Sequence, residues 1–154
     1  FMLNDEMDDF TARPGEPNAF GLVQSEANAP QPGNRPLSSM SPTIVLRDGK
    51  AVALAGASGG PRIISATSQV LWHMLHGDDP GTAVRRPRIH HQWMPNIVRC
   101  EAEIDLTFFD MTTSIGHQTE AVEGRLGICQ AIKVTESGVH AACDPGKGGR
   151  PAGG

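Results

Sequence analysis

The sequence predicts an α+β fold, and three observations carry that expectation. Two pairs of β-prone runs, 43–47 with 50–56 and the later GICQAIKV with GVHAAC, each read as a hairpin. One strongly periodic helical stretch follows the first pair, and a chain of 154 residues can build one core but not two ordinary ones. A single domain over 1–154 is therefore expected.

Composition narrows the function. Lys and Arg number 13 against 17 Asp and Glu, and apart from Arg85, Arg86 and Arg88 the basic residues are scattered, so no nucleic-acid footprint is present. With 18 Gly, 12 Pro and no Tyr, loops come to the front, yet the Gly and Pro share stays below that of disordered chains. Cys100, Cys129 and Cys143 are odd in number and lack C-x-x-C spacing, which favours buried thiols over a disulfide framework or a zinc site. No apolar run approaches the roughly 20 residues that span a bilayer, and no basic-then-apolar signal opens the chain. The opening FMLN runs straight into an acidic cluster and reads as the interior of a longer or processed protein.

That cluster, NDEMDDF, holds Asp5, Glu6, Asp8 and Asp9. Like charges this close need water or a cation, which a metal, a basic side chain or a ligand ammonium can supply. Calcium would need the EF-hand order of oxygens, which is absent, so no metal is expected here. In an extended stretch Asp5 and Asp9 would share one face, with Glu6 and Asp8 on the other.

Residues 11–42 read as a long loop region whose Pro and Gly density forbids a helix interior. Loops of that length in a compact domain are usually functional or mobile. Within it, RPLSSMSP sets Ser38 and Ser39 side by side between prolines, and two hydroxyls can donate to a carboxylate. A plain serine-rich loop has the same appearance. No G-x-S-x-G frame supports a serine nucleophile.

The first hairpin turns at Asp48-Gly49, a pair suited to positive φ. Its second strand runs into ASGGPRII, so Gly59 and Gly60 sit at a strand-to-helix junction, with Pro61 in the helix's first turn. Ile63, Thr67, Val70, Leu71, Met74 and Leu75 recur at helical spacing. The glycines admit three readings: a simple turn, an oxyanion hole, or a phosphate loop, the last weakened by the missing Lys-Ser or Lys-Thr.

Beyond DDPG, at most a short helical turn is expected near 83–86. In PRIHHQW, His90 and His91 would point to opposite sides, which suits hydrogen-bonded packing with Trp93 as an anchor better than joint metal ligation. A weaker helix is expected from 106 to 115, then the second hairpin across TESG, then the Gly-rich tail 144–154. No internal repeat is found.

Taken together, LNDEMDDF, PLSSMSPTIV, GASGGPRII, RIHHQW and DPGKGG resemble, in order and spacing, the gamma-glutamyltranspeptidases or glutathione hydrolases, over about residues 3–149. The resemblance implies an N-terminal-nucleophile hydrolase, a four-layer αββα sandwich made as a precursor that cleaves itself into large and small subunits. This chain would be the C-terminal part of the small subunit, an incomplete share of that sandwich. An N-terminal Thr would attack the γ-glutamyl carbonyl with its own α-amino group as base, and water, an amino acid or a peptide would take the acyl group.

By the same resemblance, Glu6 and Asp9 hold the substrate α-ammonium, Ser38 and Ser39 the α-carboxylate, and Gly59 and Gly60 the oxyanion. The implied partners are a γ-glutamyl substrate such as glutathione, a large subunit supplying an arginine, and the missing N-terminal part of the small subunit. No cofactor and no metal are implied, and the family favours periplasmic or secreted forms.

Departures accompany the match. The catalytic Thr is expected upstream of Phe1, since neither Thr11 nor Thr43 matches it, and the isolated chain is expected to be inactive. Asp5 replaces the usual Asn, Pro61 a small residue, and Gly146 a common Arg. Two alternatives stay open: a related acylase acting on a β-lactam side chain or poly-γ-glutamate, and a non-catalytic structural or binding fragment.

Overall fold

The computed structural model describes residues 6–152, so FMLN and the expected placement of Asp5 lie outside the described residues. Two single-turn 3-10 helices, Glu6–Asp9 and Glu26–Asn28, precede the regular elements. These are β1 (Thr43–Arg47), β2 (Lys50–Ser58), α1 (Arg62–Leu75), α2 (Pro80–Arg85), β3 (Ile89–His90), β4 (Val98–Glu101), α3 (Leu106–Ser114), β5 (Thr119–Val122), β6 (Ile128–Thr135) and β7 (Gly138–Cys143). The fold is α+β, with a four-stranded antiparallel sheet in the order β1-β2-β6-β7 and a smaller sheet ordered β3-β4-β5.

The first hairpin forms as its turn chemistry dictates: Asp48 has φ 51° and Gly49 φ 75°, both on the positive side that a two-residue turn requires. In α1 the periodic face is buried, with Ile63, Ala66, Thr67, Val70, Leu71 and Met74 turned inward. Leu75, expected with them, is 45% exposed because it lies at the helix end, beyond the sheet's cover. Ala53, Ala55, Cys129 and Ala131 of the sheet meet this face, together with Ala83 and Val84 of α2. Small sheet residues let the helix approach closely, and each large aliphatic side chain fully buried there contributes about 1.5–3 kcal/mol. Burial also pushes the Cys129 thiol up to about 11, so it packs as an apolar group.

The sheet's opposite face is apolar too. Ile44, Leu54, Ile132 and Ala141 form one cross-strand row there, and Ile44, Leu46 and Val139 are each more than 60% exposed. Only one side of this sheet is covered by the described residues.

Three elements depart from the sequence reading. The acidic stretch 6–9 coils into a 3-10 turn instead of extending, so the alternation argument does not apply to it. α2 starts at Pro80, earlier than expected, because Asp79 caps it: its carboxylate accepts from Thr82 N–H at 3.1 Å, and its bonds to Thr82 hold its pKa below the usual range. The third is β3-β4-β5, which the sequence does not announce. There β4 and β5 pair in parallel, whereas antiparallel sheets were expected, and α3 supplies the crossover that parallel pairing needs.

A buried quartet joins the two sheets. Arg88 reaches Glu101 at 3.3 Å and Asp144 at 2.6 Å, while Arg125 reaches Glu101 at 2.6 Å and Asp144 at 3.4 Å. Glu101 also accepts from Leu126 N–H, and Asp144 from the N–H groups of Cys129 and Gly146. Two cations and two anions thus neutralise one another away from water. A β-carbon on Gly146 would fall 2.6 Å from Arg125 Cγ, so Arg125 occupies the space that a side chain at 146 would need.

Candidate active site

The candidate groups lie at the strand-to-helix junction, in the acidic 3-10 turn Glu6–Asp9 and in the long loop that precedes β1. At the junction, Gly59 has φ 137° and Gly60 φ 59°, conformations that a β-carbon resists. Pro61 follows at φ −61° and opens α1, which fits a residue without an N–H at a helix start. The carbonyls of Gly59 and Gly60 accept from Arg62 and Ile63 N–H, at 3.3 and 3.0 Å. Among the described residues neither glycine N–H is used in the backbone bonds of this turn. Two amides at the start of a 14-residue helix are suited to receiving negative charge.

Close packing fixes this junction from behind. A β-carbon on Gly59 would lie 3.1 Å from Gly127 Cα, and one on Gly127, at φ 87°, would lie 2.9 Å from Ala66 Cβ. In front of the junction stands Phe20: a β-carbon on Gly60 would fall 2.6 Å from its Cζ.

Phe20 is held there by the RIHHQW segment. Buried His90 bonds Ser65 Oγ through Nδ1 at 2.8 Å and Gln92 Oε1 through Nε2 at 2.9 Å. Gln92 Nε2 then donates to the carbonyls of Phe20 and Met94. Because Gln92 spends its amide hydrogens on carbonyls, its oxygen accepts from His90 Nε2–H. Burial holds His90 below the ordinary imidazole pKa, and Arg62, Arg99 and His91 add to that against the Gln92 bond. His91 turns the other way, exposed, to Asn96 Oδ1 at 3.0 Å, so the pair diverges as alternation predicts. Trp93 is no anchor: it adopts φ 71° in the turn and stands 75% exposed, pointing away from the core that an anchor would fill.

The loop region carries the remaining groups. Glu6 and Asp9 share one 3-10 turn. Ser38 Oγ accepts from Met40 N–H at 3.2 Å, which leaves its own hydroxyl hydrogen for another acceptor. Asn28 lies between these sequence-distant segments: its Nδ2 donates to the Asp9 carbonyl at 2.7 Å, and its Oδ1 accepts from Leu37 N–H at 3.0 Å. The structure therefore brings the Asp9 turn and the Ser38 segment onto opposite ends of one side-chain amide. Sequence reading passed over Asn28, Phe20 and Gly127, because an Asn or Phe inside a polar loop and a Gly before a strand carry no distinctive spacing.

Cavities open on the surface among the described residues. One of about 390 Å³ lies beside the acidic turn, lined by Met7, Phe10, Pro30 and Asn34. Another, about 650 Å³, lies between the start of β2, the end of α1 and the end of β6 and contains none of these groups.

This fold, with helix-start glycines at the end of a sheet strand, is that of the N-terminal-nucleophile hydrolases represented by the solved structures it matches. The chain belongs to the gamma-glutamyltranspeptidase family, whose profile matches residues 1–154. It is 56% identical over 102 residues to the glutathione hydrolase proenzyme of Pseudomonas sp. strain A14, covering 66% of this chain and 18% of that protein. Against the Escherichia coli K12 glutathione hydrolase proenzyme it is 42% identical over 146 residues, 94% of this chain and 25% of the relative. A Helicobacter pylori gamma-glutamyltranspeptidase mutant structure matches with a TM-score of 0.86 at 39% identity, covering 96% of this chain and 82% of that one. The chain thus spans about a quarter or less of the length of these curated relatives.

Proposed function

We propose that this chain is the substrate-head and oxyanion portion of a gamma-glutamyltransferase and glutathione hydrolase, with the nucleophile supplied from outside it. In this reading the α-ammonium of a γ-glutamyl amide such as glutathione binds Asp9 and Glu6, and its α-carboxylate binds the hydroxyls of Ser38 and Ser39. The γ-carbonyl then lies over Gly59 and Gly60.

A threonine Oγ attacks that carbonyl, forming a C–O bond while its own α-amino group takes the proton. The Gly59 and Gly60 amides stabilise the resulting oxyanion. Collapse breaks the C–N bond, and the leaving amine takes the proton back. Water or an amino acceptor then attacks the ester carbonyl, giving its proton to the α-amino group; collapse breaks the threonine C–O bond, Oγ takes that proton, and the γ-glutamyl group leaves on water or the acceptor. Pro61 removes one donor next to the oxyanion amides but neither of the two that the step uses.

The rest of the small subunit, and a large subunit contributing an arginine to the substrate carboxylate, complete the site, in a periplasmic or secreted enzyme. The apolar outer face of the sheet packs against the second sheet of the αββα sandwich. The single observation that carries the reading is the Gly59-Gly60 turn before α1, in which neither amide is used in a backbone bond among the described residues, in a chain of this family.

The test is Asp9→Ala in the complete, processed protein. Charge-assisted bonds are worth about 1.5–3 kcal/mol, so kcat/KM for a γ-glutamyl anilide should fall about 10- to 150-fold, with thermal stability little changed. An unchanged kcat/KM refutes the ammonium role.

A further inference from the structure

We infer that Asn28 is a positioning residue that sets the spacing between the two arms gripping the glutamyl head, an inference that rests on the function proposed above. In a γ-glutamyl substrate the ammonium and carboxylate sit on the same carbon, so their nitrogen and oxygens are on the order of 3 Å apart, given bonds of about 1.5 Å. The groups that bind them come from segments nearly thirty residues apart in sequence. Productive recognition tolerates about 0.5 Å of error, so some element must hold the segments in register.

Asn28 is that element. One planar amide spans the gap: Nδ2 donates to the Asp9 carbonyl at 2.7 Å, and Oδ1 accepts from the N–H of Leu37, the residue before Ser38, at 3.0 Å. The partners fix the amide's orientation, because a carbonyl can only accept and a backbone N–H can only donate. Asp at this position would keep the Leu37 bond and lose the Asp9 bond together with the 3.4 Å bond from Nδ2 to Gln24 Oε1; Ala would lose all three.

The brace is itself anchored. Asn28 carbonyl accepts from Thr11 N–H at 3.0 Å, and its N–H donates to the Ser25 carbonyl at 3.3 Å. Thr11, buried, also bonds Gln24 Oε1 and the Ser25 carbonyl through its hydroxyl. Asn28 therefore sits on a small fixed frame, while Ser38 and the Glu6–Asp9 turn lie at its edges.

The test uses the complete, processed enzyme and three matched anilides: γ-glutamyl, glutaryl (no ammonium) and 4-aminobutyryl (no α-carboxylate). Asn28→Ala should raise KM for the γ-glutamyl substrate at least 10-fold, with kcat within about threefold. It should also shrink the preference over both truncated substrates together, because both arms shift. Asn28→Asp should shrink chiefly the preference over the glutaryl substrate.

Controls separate this inference from the reading beneath it. Asp9→Ala should erase only the preference over glutaryl, and Ser38→Ala with Ser39→Ala only that over 4-aminobutyryl. If those controls behave so while Asn28→Ala keeps both preferences, the brace is wrong and the head-group assignment stands. If the controls also keep both preferences, the head-group assignment fails first. Should Asn28→Ala not accumulate as folded protein, Asn28→Asp carries the test, and loss of folded protein in both variants marks an architectural role and overturns the inference.

Discussion

The ring of Phe20 lies so close to the Cα of Gly60 that a β-carbon added there would meet Phe20 Cζ at 2.6 Å, Cε2 at 2.7 Å and Cε1 at 3.0 Å. Gly60 also holds φ 59°, so two separate constraints exclude a side chain. Gly60→Ala in the complete protein should lower activity by at least 100-fold, through a displaced amide and a displaced ring. Adding Phe20→Ala should recover only part of the thermal stability and no activity, because the backbone conformation stays unfavourable. Recovery of activity in the double variant would mean that the ring contact alone is at issue.

For the carboxylate arm, Ser38→Ala with Ser39→Ala should impair use of γ-glutamyl anilide and leave the 4-aminobutyryl anilide nearly untouched. Steady-state kinetics on the two substrates decide the matter. Equal losses on both remove the serines from carboxylate recognition.

The buried quartet gives a stability prediction. Arg88 is 1% exposed and faces both Glu101 and Asp144, so Arg88→Met leaves the two carboxylates with Arg125 alone. Breaking a buried pair costs about 3–5 kcal/mol, which urea denaturation of the complete protein should register. Adding apolar replacements of Glu101 and Asp144 should not recover that loss, because Arg125 would then lack both its carboxylates and the N–H groups of Leu126, Cys129 and Gly146 their acceptors. A single variant within about 1 kcal/mol of the parent would show the quartet to be dispensable.

His90 sets a pH dependence. Burial first, then Arg62, Arg99 and His91, hold its folded pKa below the ordinary 6.5, against a raising bond from Gln92. The unfolded chain therefore binds the proton more readily, and stability falls as pH drops below about 6.5, levelling once folded His90 itself protonates. His73, also lowered chiefly by burial, contributes in the same sense, so His90→Gln should remove only part of the loss. Comparing urea midpoints at about pH 7.5 and pH 5.5 measures it, and an identical difference in parent and variant excludes His90.

How much of this was readable from residues alone depends on the reach of each signal. Asp48-Gly49 and the 3-4 spacing from Ile63 to Met74 act within a few residues, and both appear where expected. The smaller sheet was not readable, since its strands run two to four residues, too short to show a period-two pattern, and β4 and β5 pair in parallel only across the α3 crossover. Trp93 misled because an aromatic beside two histidines suggests a core, whereas its positive φ carries it outward. The candidate site residues could be named from ordered motifs, but Asn28, which joins two of those motifs, bonds residues 9 and 37, and no local pattern encodes such a link.

The quartet's members come from four places along the chain, at 88, 101, 125 and 144. Until the last of them arrives, at least one charge already withdrawn from water lacks its counter-ion, so partly assembled forms of this region are penalised relative to both the finished and the open chain. The arrangement acts as a checkpoint on completeness: Asp144, just beyond β7, is the last charge required, and a chain cut short of it would leave two guanidinium groups sharing one carboxylate. Cooperative folding of this half of the molecule, with few half-built species exposing strand edges to neighbouring molecules, is the consequence.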